Sequence, residues 1–247
     1  MDHPGVPNAQ LVKEQSRTAK IYANRSVSEQ QSLDMAWDLL MDPAFQQLVR
    51  TICGTQDELK RFRQMLVNAV MATDIACRDL KASRTERWEK AFGEDAEDTE
   101  ENRNHKATIV IELLMQASDI SHTMQHWEVF RKWNANLFRE LYLAYLNGRA
   151  EKDPSTFWYE GEIGFFKFYI IPLAERLKEC GVFGVSSNEL LHYAQNNLAM
   201  WEHTGKEVVA ELTEAVRSKY GTKEEKMANE ENIRATVCKQ QDSATST

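Results

Sequence analysis

Glycine and proline are scarce in this chain, with 10 Gly and 5 Pro among 247 residues. This scarcity leaves few turn positions and disfavours a turn-rich β protein. Hydrophobic residues make up 42% and charged residues 28%, which is typical of a helical protein in water. The length suits one sizeable domain, and nothing in the composition divides it into two. The sequence therefore predicts an all-α fold.

Three further absences narrow the class of protein. The cysteines lack CxxC spacing, which disfavours a zinc knuckle or a disulfide framework and favours buried reduced thiols; they are Cys53, Cys77, Cys180 and Cys238. No apolar run reaches the roughly 18 residues of a membrane span, and the N-terminus has no signal-peptide core. The net charge is -8 without a basic patch, so nucleic acid is not an expected partner. We expect a cytoplasmic protein, or the cytosolic part of a membrane-tethered parent.

Helical spacing recurs along the chain. One apolar stripe with i, i+3, i+7 spacing consists of Leu59, Phe62, Leu66 and Ala69 or Val70. It predicts a core-facing helix, and Thr55 with Glu58 forms a capping-box pattern at its start. A second set, repeating every four residues, consists of Trp133, Leu137, Leu141 and Tyr145, and it stops at Gly148. Further helices are predicted at about 27–41, 107–117, 160–180 and 187–218, the last with a capping box of Ser186 and Glu189.

Two segments depart from this pattern. Six acidic residues crowd between Gly93 and Asn104 without apolar partners, which predicts a solvated loop between helices. From about Lys219 to Thr247 apolar residues become rare, which predicts a disordered tail. The ordered domain is therefore predicted to span residues 1–218.

Asp119 is the first residue with a potential role in catalysis. It follows an apolar helical stretch and precedes Ser121 and His122, so the side chain lies where a helix end can open into a pocket. Carboxylates of this kind hold divalent metals. Taken alone, an Asp at this position is more often a helix cap or a solvated carboxylate.

Five ordered motifs resemble the catalytic domain of class I 3′,5′-cyclic nucleotide phosphodiesterases. They are Asp2-His3-Pro4-Gly5, residues 22–29, Met71-Ala72-Thr73-Asp74, residues 117–121, and Gly164-Phe165 followed by Pro172-Leu173. The resemblance runs in register from Asp2 to about Trp201. It implies a multi-helix, HD-domain bundle that hydrolyses the 3′ phosphoester bond of cAMP or cGMP in signal transduction. It also implies two divalent metal ions, zinc with magnesium or manganese.

The resemblance assigns the metal ligands to a histidine of an HNxxH motif, an HD pair and a later aspartate. The cations lower the pKa of a bridging water and neutralise phosphoryl charge, while another HNxxH histidine protonates the leaving oxygen. Only the later aspartate is present, as Asp119. The family pattern is HDxDHPG with Met1 at x, so the HD pair and HNxxH would precede Met1. We therefore expect an N-terminally truncated catalytic domain that does not retain both metals and hydrolyses little.

Residues that would surround the metals are matched more fully. The resemblance implies that Asp2 and His3 correspond to the family's DH, and that Glu29 and Thr73 hydrogen-bond to metal-bound water. Each position has a simpler interpretation. Glu29 forms a capping-box pattern with Ser26, His3 is close to the chain terminus, and Thr73 is an ordinary polar residue on a helix.

The resemblance also implies a purine pocket. Phe165 and Leu137 match the two apolar side chains that clamp the base, and His122 stands where an asparagine often contacts the nucleotide. Glu162 replaces the glutamine that reads the base edge, and it offers acceptors only unless it is protonated. The preference for cAMP or cGMP therefore stays open. For Phe166, Phe168 and Tyr169 we predict core packing.

Two functions are compatible with these patterns. The first is metal-dependent hydrolysis of cyclic nucleotides by a domain of which this chain is a part, with fusion to regulatory or cyclase domains in a longer parent. The second is a catalytically inactive helical domain that binds nucleotide or a protein partner. The missing ligands and Glu162 motivate the second.

Overall fold

The computed structural model describes residues 5–181, 183–222 and 224, with the backbone alone at Arg78. Eleven α-helices form this described part. They are α1 (Asn8–Lys13), α2 (Arg17–Ile21), α3 (Val27–Leu40), α4 (Gln46–Ile52), α5 (Gln56–Met71), α6 (Arg78–Phe92), α7 (Glu100–Asp119), α8 (Trp127–Leu146), α9 (Trp158–Phe165), α10 (Ile171–Glu179) and α11 (Glu189–Tyr220). A π-helical turn, Phe166–Ile170, joins α9 to α10. The prediction of an all-α fold is confirmed.

The main core lies where α11, which is 32 residues long, packs against α8, α9 and α10. Its largest fully buried side chains are mostly aromatic: Phe130, Phe138, Tyr142, Phe166 and Trp201. Phe130 meets Phe166 and Trp201 edge to face, with ring centroids 5.3 and 5.7 Å apart. Such geometry adds to the burial energy because ring edges and faces carry opposite partial charge. A smaller cluster around Val6 and Val27 anchors the N-terminal helices to the end of α8.

The predicted capping boxes have different outcomes. At the start of α5, Thr55 Oγ1 accepts from the Glu58 N–H at 3.2 Å, and Glu58 Oε2 accepts from the Thr55 N–H at 3.1 Å, which confirms the box. The box at Ser186 and Glu189 is wrong. There α11 begins at Glu189 itself, and Ser186 only donates from its hydroxyl to the Glu189 side chain at 3.3 Å.

Helix boundaries also differ from prediction on either side of the acidic segment. Helix α6 was not predicted, and α7 already begins at Glu100, inside the predicted loop. Thr99 caps α7 by accepting from the Asn102 N–H at 3.1 Å. The carboxylates of Glu100 and Glu101 lie in the first turn, where the helix dipole favours negative charge.

The helices α3, α4 and α5 leave apolar side chains exposed. The predicted stripe lies on the less exposed side of α5, where Leu59, Phe62 and Leu66 are half-buried, although no residue of α5 is fully buried. Helix α5 contacts mainly α3 and α7, and these contacts bury none of its residues fully. Other exposed apolar side chains nearby are Met35, Leu39, Leu48, Ile52 and Met65.

Three of the sequence expectations concern the remaining parts of the chain. Cys53 is buried, Cys77 and Cys180 are half-buried, and these three thiols are free, while Cys238 lies outside the described residues. Helix α11 continues to Tyr220, and nearly all of the predicted tail lies outside the described residues. No helix in the described ranges combines the length and low charge needed to span a bilayer. The domain limit at residue 218 stays a prediction.

Gly205 sets the distance between α9 and α11. A Cβ atom at this position would lie 2.9 Å from the fully buried Trp201 ring and 3.0 Å from the Tyr159 ring. The two rings are further fixed because Trp201 Nε1 donates to the Tyr159 carbonyl at 3.1 Å.

We predict that Gly205→Ala destabilises the protein by about 1 to 3 kcal/mol, because the methyl group overpacks a core that cannot yield. The control is Gly161→Ala, where the nearest atom lies 3.8 Å away, and helix propensity should add up to about 1 kcal/mol of stability. Urea denaturation of both variants measures the difference. Equal free energies of unfolding would contradict the close approach.

Candidate functional site

Asp119 is the last residue of α7 and its side chain is exposed. Its charge acts on Tyr169, whose pKa rises to about 12, first through burial and then through the Asp119 carboxylate, while Arg84 opposes the rise. His122 follows in a short 3-10 turn, where it is half-buried, 6.4 Å from the Trp133 ring. Burial lowers the pKa of His122, so the imidazole is neutral at pH 7.

The segment between α5 and α6 is held next to α7 by side chains that bond to its carbonyls. Gln116 Nε2 donates to the Ala72 carbonyl at 3.0 Å. Arg84 Nη2 donates to the carbonyls of Met71 and Asp74 at 2.8 and 3.2 Å. Because Gln116 and Asp119 are three residues apart on one helix, they share a face. Asp119 therefore lies about one turn along α7 from the residue that bonds to the Ala72 carbonyl.

Asp74 connects this segment to the start of α3. Its Oδ2 accepts from the Ser26 hydroxyl at 2.6 Å, and its Oδ1 accepts from the N–H groups of Ala76 and Cys77, both at 3.2 Å. Ser26 has a left-handed backbone conformation, with φ of 39°, and makes no side-chain cap to α3. The capping-box interpretation of Ser26 and Glu29 is therefore wrong, because the hydroxyl is bonded to Asp74.

Glu29 is bonded to the first helix instead. Its Oε2 accepts from Asn8 Nδ2 at 2.8 Å, and Asn8 Oδ1 accepts from the Ser28 N–H at 3.0 Å. Glu29 lies one turn after Ser26, so it is on the same end of α3 as the Asp74 contact. Asp2 and His3 lie outside the described residues.

The described residues do not by themselves fit a metal ion. Within residues 5–181, 183–222 and 224, no three His, Cys, Asp or Glu side chains come close enough to hold one. Thr73 directs its hydroxyl to the Val70 carbonyl at 2.8 Å. Asp119 is the single carboxylate that the resemblance predicts as a metal ligand, and at least three protein ligands are normally required.

Glu162 is the acid with the most unusual environment. It is 9% exposed on α9 and bonds to Asn134 of α8. The Asn134 Oδ1 already accepts from Trp158 Nε1 at 3.1 Å, so its amide N–H is the group that faces Glu162. Burial raises the pKa of Glu162 to about 7, and the hydrogen bond from Asn134 opposes this rise. At neutral pH a large fraction of Glu162 is therefore protonated.

Phe165 faces a cavity of about 450 Å³ between α6, α7, α9 and α10. Its ring stacks on Tyr169 with centroids 5.3 Å apart and 15° between planes. Leu137, Glu162 and His122 are not among the residues that line this cavity, and Leu137 is 45% exposed on α8. The structure thus brings Phe165 together with Tyr169, and it does not gather the predicted purine contacts in one cavity.

Two of the aromatic residues after Phe165 behave as predicted and one does not. Phe166 is fully buried and Tyr169 packs against the main core. The prediction of core packing is wrong for Phe168, which is 78% exposed. The reason is helical spacing: Phe166 and Ile170 are four residues apart and face the core, whereas Phe168 lies two residues after Phe166 and faces the opposite side.

Sequence reasoning missed four residues that organise the site: Arg84, Gln116, Asn134 and Tyr169. Three of them act through contacts distant in sequence, such as Gln116 to Ala72, which are 44 residues apart. The one available signal was the spacing of Gln116 and Asp119, which places a buried amide on the same face as the carboxylate.

Comparison with known proteins agrees with this architecture. A family model described as 3'5'-cyclic nucleotide phosphodiesterase matches residues 1–183. The human dual specificity calcium/calmodulin-dependent 3',5'-cyclic nucleotide phosphodiesterase 1C is 26% identical over 184 residues, covering 69% of this chain and 24% of the human protein. The probable 3',5'-cyclic phosphodiesterase pde-3 of Caenorhabditis elegans is 26% identical over 214 residues, covering 81% of this chain and 30% of the relative.

A solved structure shares the fold. The phosphodiesterase domain of Salpingoeca rosetta rhodopsin phosphodiesterase superimposes with a TM-score of 0.68 at 23% identity, covering 87% of this chain and 65% of that domain. The chain thus spans about a quarter of the first curated relative and about two thirds of the solved domain.

The environment of Glu162 predicts a pH-dependent stability. The pKa is 4.5 in the ordinary acid and about 7 in the folded protein, so folding favours the protonated form. The stabilisation is fully present below pH 4.5 and is lost as the pH rises through about 7. The loss amounts to up to about 3 kcal/mol.

We expect Glu162→Gln to remove this part of the pH dependence, since glutamine keeps an acceptor for Asn134 without a titratable proton. Urea denaturation at pH 5 and pH 8 measures the change in the free energy of unfolding for each protein. Glu160→Gln, an exposed acid on the same helix, is the control and should leave the pH dependence as in the wild type. Equal slopes for all three proteins would show that the Glu162 carboxyl is solvated.

Proposed function

This chain belongs to the 3′5′-cyclic nucleotide phosphodiesterase family, and we propose on that premise that it forms part of a domain that hydrolyses the 3′ phosphoester bond of cAMP or cGMP. The observation that carries the proposal is the family match over residues 1–183, which includes every motif from Asp2 to Pro172. The curated relatives are named for this activity, and the chain spans only part of them.

We assign Asp119 to the metals and Glu29, Thr73 and His3 to the surrounding water network. Support comes from the Ser26–Asp74 bond and the Gln116–Ala72 bond, which join α3, the 72–77 segment and α7. The family is generally metal-dependent, and we propose zinc with magnesium or manganese as its ions. Such ions would supply an activated water and neutralise phosphoryl charge. Asp119 alone does not hold an ion.

The substrate proposal concerns the base. The resemblance, and not the cavity beside Phe165, supports a purine that packs on Phe165 and Leu137 with Glu162 reading its edge, since neither Leu137 nor Glu162 lines that cavity. A protonated Glu162 offers one donor and one acceptor, as a glutamine does, whereas the ionised form offers acceptors alone. Neutral His122 would donate one N–H to the nucleotide.

The second candidate is a catalytically inactive domain that binds nucleotide or a protein partner. The observation that favours it is Glu162 itself. Its protonated form, which can donate a hydrogen bond as well as accept one, is available to only a fraction of the molecules at neutral pH.

We also propose a cytosolic location, supported by the scattered cysteines. Fusion to regulatory or cyclase domains stays a prediction.

Asp119→Ala distinguishes the candidates. In the longest protein that the gene encodes, assayed with zinc and magnesium, we expect this variant to lower kcat for cAMP or cGMP by two or more orders of magnitude, because it removes a metal-binding carboxylate. The control is Ser118→Ala, at the adjacent exposed position, whose hydroxyl donates to the Leu114 carbonyl of the same helix.

Each outcome bears on one candidate. Turnover that is lost with Asp119→Ala and with a chelator, and kept with Ser118→Ala, supports hydrolysis. Tight binding of cyclic nucleotide without metal-dependent turnover supports the inactive domain. Near-wild-type turnover by Asp119→Ala would overturn the assignment of this residue.

A further inference from the structure

Helices α4 and α5 lie on the surface without a fully buried residue. A groove follows α5 on the side toward α7, and at Cys53 it continues beside the segment that joins α3 to α4. The two parts of this groove have volumes of about 580 and 520 Å³. Several of the side chains that line this α5 groove are apolar and exposed: Met41, Ile52, Met65 and Ile111. A contiguous apolar surface of this kind marks an interaction site.

The charged side chains of the α5 groove leave it positive. Glu58 accepts from the N–H groups of the two residues that precede α5, at 2.7 and 3.1 Å. Both oxygens of Glu112 bond to Arg87, at 2.9 and 2.6 Å. Arg50 and Arg61 also line the groove, are exposed, and form no ion pair with any residue that the structure describes. The groove therefore favours a partner that carries acidic and apolar side chains together.

The exposed face of α3 has this composition. Met35 and Leu39 are four residues apart and exposed, so they form an apolar stripe on one side of the helix. Asp34 and Asp38 have the same spacing beside them and are exposed as well. Asp34 accepts from the Tyr22 hydroxyl at 2.8 Å, and neither aspartate has a basic partner within the described ranges. Helix α3 is thus an acidic amphipathic helix whose apolar stripe faces solvent.

The two surfaces are adjacent but cannot meet within one copy of the chain. Helix α3 packs against α5, where the Arg63 guanidinium lies over the Trp37 ring at 5.4 Å. This packing holds the acidic face of α3 outside the groove of the same molecule. Met41, which directly follows α3, lines the end of the groove. A two-fold axis near Met41 would therefore place α3 of each copy in the groove of the other.

The dimensions of helix and groove agree. The part of α5 that lines the groove extends from Gln56 to Asn68, which is about 18 Å at the rise of an α-helix. Helix α3 has 14 residues and is about 21 Å long. Recognition of a helix in a groove uses apolar anchors one turn apart, and Met35 and Leu39 have that spacing.

We propose that two copies of this chain associate, with the acidic face of α3 in one copy seated in the α5 groove of the other. Met35 and Leu39 pack on the apolar lining, and Asp34 and Asp38 lie near Arg50 and Arg61 of the other copy. The symmetry forms each contact twice. The inference goes beyond the proposed hydrolysis and does not rest on it.

Sedimentation equilibrium of the full 247-residue chain, over concentrations that span the micromolar scale, tests the association. We expect a monomer–dimer equilibrium that shifts toward monomer as salt is raised, because exposed charge pairs are screened. Asp38→Arg and Arg61→Asp should each raise the dissociation constant at least about tenfold, because each places like charges together at both symmetric contacts.

Mixing the two variants provides the decisive measurement. In a mixed dimer of Asp38→Arg with Arg61→Asp, opposite charges face each other at both contacts, so we expect the dimer to return. The control is Lys132→Asp, an exposed lysine on α8 outside the groove. This variant should dimerise like the wild type, and mixing it with Asp38→Arg should produce no rescue. Circular dichroism confirms that each variant is folded.

Several results would overturn the proposal: a monomer at every concentration, a dimer that neither charge reversal weakens, or a mixture without rescue. A monomeric chain that binds an acidic amphipathic peptide would assign the groove to another polypeptide instead. A dimer of the 247-residue chain that is absent from the longest protein the gene encodes would assign it to a segment of that parent. None of these measurements involves turnover, so failure of the proposed hydrolysis would be seen separately.

Discussion

The buried carboxylate of Asp74 is the interaction on which the arrangement of the site depends. It accepts a short bond from Ser26 and two bonds from the N–H groups that lead into α6. A buried charge is tolerated when its oxygens are satisfied, and removing it would leave the hydroxyl and the N–H groups without partners. Arg84 and Gln116 then hold the carbonyls of the same segment. Four helices, α3, α5, α6 and α7, are thereby fixed around residues with no regular structure of their own.

The part of the fold that the sequence predicts is the part where local signals and tertiary contacts agree. Helix α5 has a reciprocal cap and a regular apolar stripe, so its start at Gln56 follows from the sequence. Helix α6 is mostly charged, and its apolar side chains are too few to show a period. Contacts with other helices stabilise α6: Arg176 of α10 lies over the Trp88 ring at 5.2 Å, and Arg87 binds Glu112 of α7. No local pattern contains that information.

The candidate site also has a part that follows from the sequence and a part that depends on tertiary contacts. The resemblance points to Asp119, Glu29, Thr73 and Phe165 as candidate site residues, because the order and spacing of the motifs can be read along the sequence alone. It does not supply their partners. Ser26 and Glu29 have the spacing of a capping box, but a bond across 48 residues takes the serine hydroxyl and a bond across 21 residues takes the glutamate. A tertiary hydrogen bond to a buried carboxylate outweighs a cap worth about 1 kcal/mol.

Helix α9 separates the buried acid Glu162 from the basic side chains that line the cavity beside Phe165. Trp158 and Glu162 lie one turn apart and both hydrogen-bond to Asn134 of α8. The acid therefore has a neutral partner on the side of α9 that faces α8. Gly161, Gly164 and residues of the π-helical turn line the cavity on another side, together with Lys81, Arg84 and Arg176. The charges that act on Arg84 come from Tyr169, Glu112, Asp74 and Arg87, and Glu162 is not among them. Because Glu162 is buried toward α8 and is not part of the cavity lining, it does not neutralise the cavity. Helix α9 thus keeps its buried acid on the side toward α8, away from the cavity that Lys81, Arg84 and Arg176 line.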